Sequence, residues 1–141
     1  MVRIFLAVVL GAFVGLSITL CYDVSTILFA PLMLPGIGGD PMVKGNVCEF
    51  SRELPVLTAF FLFALLFAGS FVGVKIAASI AAKSGTRLAV LLVIAVLVAV
   101  RLRDLCFGYY PLWIKLGILG AIIVGGYLGG LRTRKPKETT T

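Results

Sequence analysis

Hydrophobic positions along the chain gather into four long runs, roughly 3–20, 55–74, 87–105 and 111–131, separated by polar or Gly/Pro-rich breaks. Crossing the hydrocarbon of a bilayer takes ~20 apolar residues as a helix. The pattern therefore predicts an all-α fold, a four-helix transmembrane bundle. The bundle forms a single domain over 1–131, and a basic tail follows at 132–141. The longest break, 21–54, contains Pro31, Pro35, Gly36, Gly38, Gly39, Pro41 and Gly45, residues that interrupt regular structure. It is predicted as an irregular loop between helices one and two. The apolar stretch 27–34 inside it is too short to span. It is expected to lie on the membrane surface or over the bundle mouth. Ser51 is placed to cap the second helix.

Each run has its own pattern. Helix one carries Gly11 and Gly15, and helix two carries Gly69 and Gly73. This small-xxx-small spacing lets helix backbones approach closely. At ~100° per residue, Phe60, Phe63, Phe67 and Phe71 fall on the other side of helix two. That stripe is expected to face lipid, or to dock another subunit or a cofactor tail, while the glycines look into the bundle. Ala77, Ala78, Ala81 and Ala82 extend the helix toward a tight turn at 83–86. Helix three is the shortest: its uninterrupted apolar core, 88–100, rises only ~20 Å, against ~30 Å of hydrocarbon. Its span must therefore draw in Arg101, Arg103 and Asp104, or bury Arg87. Arg101 and Asp104, three apart, share a helix face, whereas Arg103 points elsewhere and can snorkel. Helix four opens with Tyr109, Tyr110, Pro111 and Trp113, suited to a first turn at a membrane interface. Its pairs Gly125/Gly129 and Gly126/Gly130 give it more than one packing face.

Charge fixes an orientation. With the N-terminus inside, eight of the 13 Lys and Arg lie on the cytoplasmic side: Arg3, Lys75, Lys83, Arg87, Arg132, Arg134, Lys135 and Lys137. Of the six acids only Glu138 joins them. This is the positive-inside pattern, with both termini cytoplasmic. The net charge of +7 is thereby assigned to topology and anionic headgroups rather than to nucleic acid. A charged fraction of 13%, against about 25% in soluble domains, points the same way. Met-Val-Arg followed by ~17 apolar residues exceeds the usual signal core. No small-x-small site precedes Cys21, and Leu20 is not the small residue a lipoprotein box requires. The segment is read as a retained helix.

Candidate chemistry is sparse. The chain has no histidine, and it contains no Cys-x-x-Cys, P-loop or nucleophile elbow. Positions near the midplane, Ala12, Leu65, Ala95 and Ala121, carry no ionisable group, which disfavours proton-coupled transport. The expectation is no catalytic residue, no metal and no cofactor. Charges collect instead on the outer side: Asp23, Glu49, Arg52, Glu53, Arg101, Arg103, Asp104 and Lys115. Within this group Arg101 and Arg103, with Asp104 as orienter, form a candidate anion or headgroup site, because guanidinium matches phosphate and carboxylate. The plain alternative is interfacial charge neutralised in pairs. Cys21, Cys48 and Cys106 also fall on the outer side. In an oxidising compartment one disulfide can form, Cys48 with Cys21 or Cys106; otherwise the three are small buried hydrophobes.

Pro111-Leu112-Trp113, Leu128-Gly129-Gly130-Leu131, and Pro55 ahead of an aromatic helix with Gly69 and Gly73 give the chain a layout that resembles small four-span bacterial inner-membrane proteins without a settled function. The resemblance implies a four-helix fold in a bacterial inner membrane and carries over no site. Together these features predict a non-catalytic accessory or scaffold subunit of a larger membrane complex. Its partners are the lipid bilayer and other membrane-protein subunits docked on its helix faces. The alternative is a homo-oligomeric channel or carrier for a small or lipid-like solute, for which only Ser17, Thr19, Thr58 and Ser70 offer a polar lining. A headgroup enzyme would rest on the outer Arg/Asp cluster alone.

Overall fold

The computed structural model describes residues 1–33, 48, 56–81, 85–104 and 106–131. Among them are four α-helices and no strand: α1 (Val2–Met33), α2 (Val56–Ile80), α3 (Thr86–Leu102) and α4 (Leu112–Leu131), with one 3₁₀ turn at Phe107–Tyr109 before α4. Three helices are long and apolar enough to cross a membrane, over Val2–Cys21, Val56–Ile80 and Leu112–Leu131. The proposed cap Ser51, the loop positions from 34 to 47, the turn residues Lys83 and Ser84, and the tail 132–141 lie outside the described residues.

The helices run up, down, up and down, and the glycines show it. Gly11 and Gly15 of α1 meet Gly73 and Gly69 of α2 in reverse order. The same two glycines meet Val93 and Leu97 of α3 in the same order. On α4, Gly125 and Gly129 follow Phe67 and Phe71 of α2 in parallel, and Gly126 and Gly130 meet Ile94 and Val90 of α3 antiparallel. α2 is thus the central helix. It packs extensively against α1 on one side and α4 on another, and α3 touches all three.

Contacts at these crossings leave no room for a side chain. A Cβ added at Gly11 would lie 2.5 Å from the Gly73 carbonyl oxygen, and one added at Gly73 would lie 2.5 Å from that of Gly11. Gly15 and Gly69 repeat the exchange one turn away, at 3.2 and 3.0 Å. On α4, a Cβ at Gly125 or Gly129 would lie 2.5 Å from the carbonyl oxygen of Phe67 or Phe71. The expected packing glycines, Gly11, Gly15, Gly69, Gly73, Gly125 and Gly129, are therefore the points where backbones touch.

Residue size is distributed opposite to that of a water-soluble bundle. The inside is lined by small residues, with Ala7, Ala59, Ala77 and Ala89 fully buried. Leu62, Leu66, Ile114, Ile118 and Ile122 fill what space remains. Large apolar side chains stand outside: Phe5, Phe13, Leu57, Phe60 and Leu116 are all more than half exposed. In water such a surface would be a large unprotected apolar patch. In lipid it carries no penalty, and small inward residues are what allow close packing.

Three expectations change. First, α1 does not end near residue 20: its backbone stays helical to Met33, and so 21–33 leaves the predicted irregular loop. Pro31 sits only two residues before the helix end, so the one ladder bond it removes falls in the last turn. Second, α3 stops at Leu102 instead of running to 105. There the Asp104 carboxylate accepts the Cys106 backbone N–H at 3.2 Å and turns the chain out of the helix. Third, the phenylalanine stripe of α2 is not chiefly a lipid face. Phe63, Phe67 and Phe71 are half-buried. The Phe63 ring lies against Gly117 of α4 and packs edge-on to Trp113 at 6.3 Å. Only Phe60 of the four is mostly exposed. Periodicity alone had put glycines and phenylalanines on opposite sides of α2; it did not show that α4, being glycine-rich, would take the aromatic side.

Substituting Gly73 by Val should therefore destabilise the bundle by about 1–3 kcal/mol, the usual range for overpacking. Gly120 has nothing within 4 Å of an added Cβ, so Gly120→Ala should be neutral. Unfolding titrations in mixed micelles compare the two; equal losses would remove the argument from backbone contact.

Candidate functional site

The inward stripe of α1 repeats every fourth residue through Ala7, Gly11, Gly15 and Thr19, all buried. That of α3 does the same through Ala89, Val93 and Leu97. One further step along each stripe reaches Asp23 and Arg101. Because α1 and α3 run parallel with Gly11 beside Val93 and Gly15 beside Leu97, Arg101 lies level with Thr19, one turn short of Asp23. Its long side chain covers that turn. Arg101 Nη1 donates to Asp23 Oδ1 at 3.3 Å and to Asp104 Oδ2 at 3.3 Å.

The result is a three-residue ionic cluster at one end of the bundle. Arg101 is only 7% exposed, while the two acids keep about a third of their side-chain surface, at 38% and 31%. Among the described residues, two carboxylates face one guanidinium. Arg101 Nε is buried without a hydrogen-bond partner, and among the described residues the ion pairs of the guanidinium run through Nη1.

Neighbouring residues extend the cluster into the connection to α4. Asp104 divides its carboxylate: Oδ2 faces Arg101, and Oδ1 accepts the Cys106 N–H. Cys106 is bonded to Cys48 in a disulfide. Of the two partners left open for Cys48, the fold supplies Cys106; Cys21 takes no part and is exposed on α1. Cys48 is buried at 6% exposure, so the long connection between α1 and α2 is tied to the bundle end beside the ionic cluster. Further along, Lys115 Nζ donates to the Gly108 carbonyl at 3.0 Å and lies over the Phe107 ring at 5.9 Å. Tyr109 and Trp113 are half exposed beside it, as expected of an interfacial belt.

Of the anion-site candidates, the structure brings Arg101 and Asp104 together but leaves Arg103 exposed, capping α3 with its backbone N–H on the Ala99 carbonyl. The partner that sequence reasoning missed is Asp23. The carboxylates of Asp23 and Asp104 both contact Arg101 Nη1, and these contacts neutralise its buried charge. Glu49, Arg52 and Glu53 lie outside the described residues.

Three hydroxyl groups of the spans bond locally. Ser17 donates to the Phe13 carbonyl at 2.8 Å, Thr19 to that of Leu16 at 2.9 Å, and Ser70 to that of Phe67 at 3.0 Å. Compared with known proteins, the chain matches no protein-family model, no curated protein and no solved structure. Geometry is therefore the only guide to what the site does.

Asp23→Asn/Asp104→Asn should destabilise the bundle more than Arg101→Leu. The double variant strands a buried cation, whereas the leucine variant strands two acids that water reaches. A difference of at least about 1.5 kcal/mol, the lower end for one charged hydrogen bond, is expected in micelle unfolding titrations. The reverse order would mean that the acids, not Arg101, carry the burial cost.

Proposed function

We infer that this protein is a small non-catalytic integral membrane protein, an accessory or scaffold subunit that packs through its helix faces within a larger membrane complex. The observation that carries this reading is the fate of the polar groups in and beside the spans. The hydroxyls of Ser17, Thr19 and Ser70 are bonded to their own helices, and Arg101 is held by two carboxylates. Donors spent on the fold favour a structural role over the lining of a solute path. What remains outward is apolar helix surface, suited to lipid and to other helices.

The protein is assigned to a bacterial inner membrane with both termini on the cytoplasmic side. Four alternating helices return the chain to the end where it began. Arg3 and Arg87 stand at that end, opposite Asp23 and Asp104, in the sense of the positive-inside rule. The likeness in layout to small four-span bacterial inner-membrane proteins supports the same compartment.

Fusion reporters test the orientation. A C-terminal green fluorescent protein should fluoresce, and alkaline phosphatase fused at the C-terminus should be inactive but active when fused after residue 40. For the role, extraction in a mild detergent followed by native mass spectrometry should recover the chain in fixed stoichiometry with larger membrane subunits. A pure self-oligomer that conducts ions or solutes in planar bilayers would replace the subunit reading with a channel.

A further inference from the structure

The ionic cluster and the disulfide share one residue pair. Cys106 gives its sulfur to Cys48 and its backbone N–H to Asp104 Oδ1, while Asp104 Oδ2 and Asp23 hold Arg101. A continuous line of contacts thus runs from the long connection, through the turn after α3, to the guanidinium and on to α1. The line is poised rather than slack. Arg101 is buried with Nε unpartnered, a position that a buried donor keeps only under compulsion. It stands at the second-last residue of α3, within snorkelling reach of the interface.

We propose that the Cys48–Cys106 disulfide is a redox modification site that works as a latch. While oxidised, it fixes the turn that aims Asp104 at Arg101; when a dithiol reduces it, Arg101 moves out to the interface and α1 and α3 separate at that end. The chemistry balances as ordinary exchange. A thiolate of the dithiol attacks the Cys106 sulfur, the more accessible of the two since Cys48 is buried. The Cys48 sulfur leaves and takes a proton. The second thiol of the reductant then displaces Cys106, which is protonated in turn. Two electrons and two protons pass to the protein, and the dithiol leaves as its own disulfide. This inference stands independently of the subunit assignment, because it concerns packing within one chain.

Hydrogen exchange read by mass spectrometry on the full chain in lipid nanodiscs tests the latch. In the wild type, dithiothreitol should speed exchange about tenfold or more at 17–24 and 99–107, the scale of losing one charged hydrogen bond. Cys48→Ser should show the same increase without reductant. In Asp104→Asn both segments should exchange fast in the oxidised protein, with reductant adding less than about twofold, as expected of coupled rather than independent sites. Exchange that rises only next to Cys48, or reductant and Asp104→Asn effects that multiply independently, would overturn the latch.

Discussion

How closely a neighbour can approach the backbone of α2 decides everything else in this bundle. In lipid there is little hydrophobic gain from bringing apolar helices together, so association depends on contact quality. α2 makes that contact in two ways. Toward α1 it offers Gly69 and Gly73, which meet glycines, backbone on backbone. Toward α4 it offers the carbonyls of Phe67 and Phe71, and the glycines are on the other helix. In each case one missing Cβ admits the partner. α3, with neither glycine nor phenylalanine, fills the remaining side with valine and leucine.

Close packing also explains how a charge can sit at the end of a stripe. Once α1 and α3 are drawn into fixed register, Asp23 and Arg101 can only face each other. Burying Arg101 would be costly alone, and removing one partner from such a group is more damaging than never having built it. The cluster therefore acts as a register mark: a slip of α1 against α3 that widens the one-turn step between Arg101 and Asp23 would carry the carboxylate out of reach. Apolar stripes, by contrast, tolerate such slips because one small residue resembles another.

Much of this was legible in the residues, and its limits have physical causes. Run length located four helices, and the small-xxx-small pairs named the contact points correctly. Periodicity within one helix does not say which neighbour each face meets, so the phenylalanine side of α2 was assigned to lipid when its true occupant was the glycine-rich α4. Pro31 read as a sign of a loop, and Asp23 was counted only as an outer-side charge. The structure instead neutralises Asp23 with Arg101 from another helix, and Pro31 falls where a lost ladder bond matters least. Spacing of three linked Arg101 to Asp104, but the link to Asp23 required parallel α1 and α3 in register. Had the four-residue stripes ending in Asp23 and Arg101 been compared, the pair would have been visible beforehand. Cys48 had two possible partners by sequence, and only the fold chose between them.

The disulfide has a topological consequence. Cys48 precedes α2 and Cys106 follows α3, so the bond closes a covalent ring containing both helices. Such a ring cannot close until α3 has folded back along α2 and brought its far end beside the start of α2. Formation of the central hairpin is thereby recorded in a single bond. Once the ring is closed, the two helices cannot part at that end, and α1 and α4 pack from outside onto a unit whose pairing is already locked.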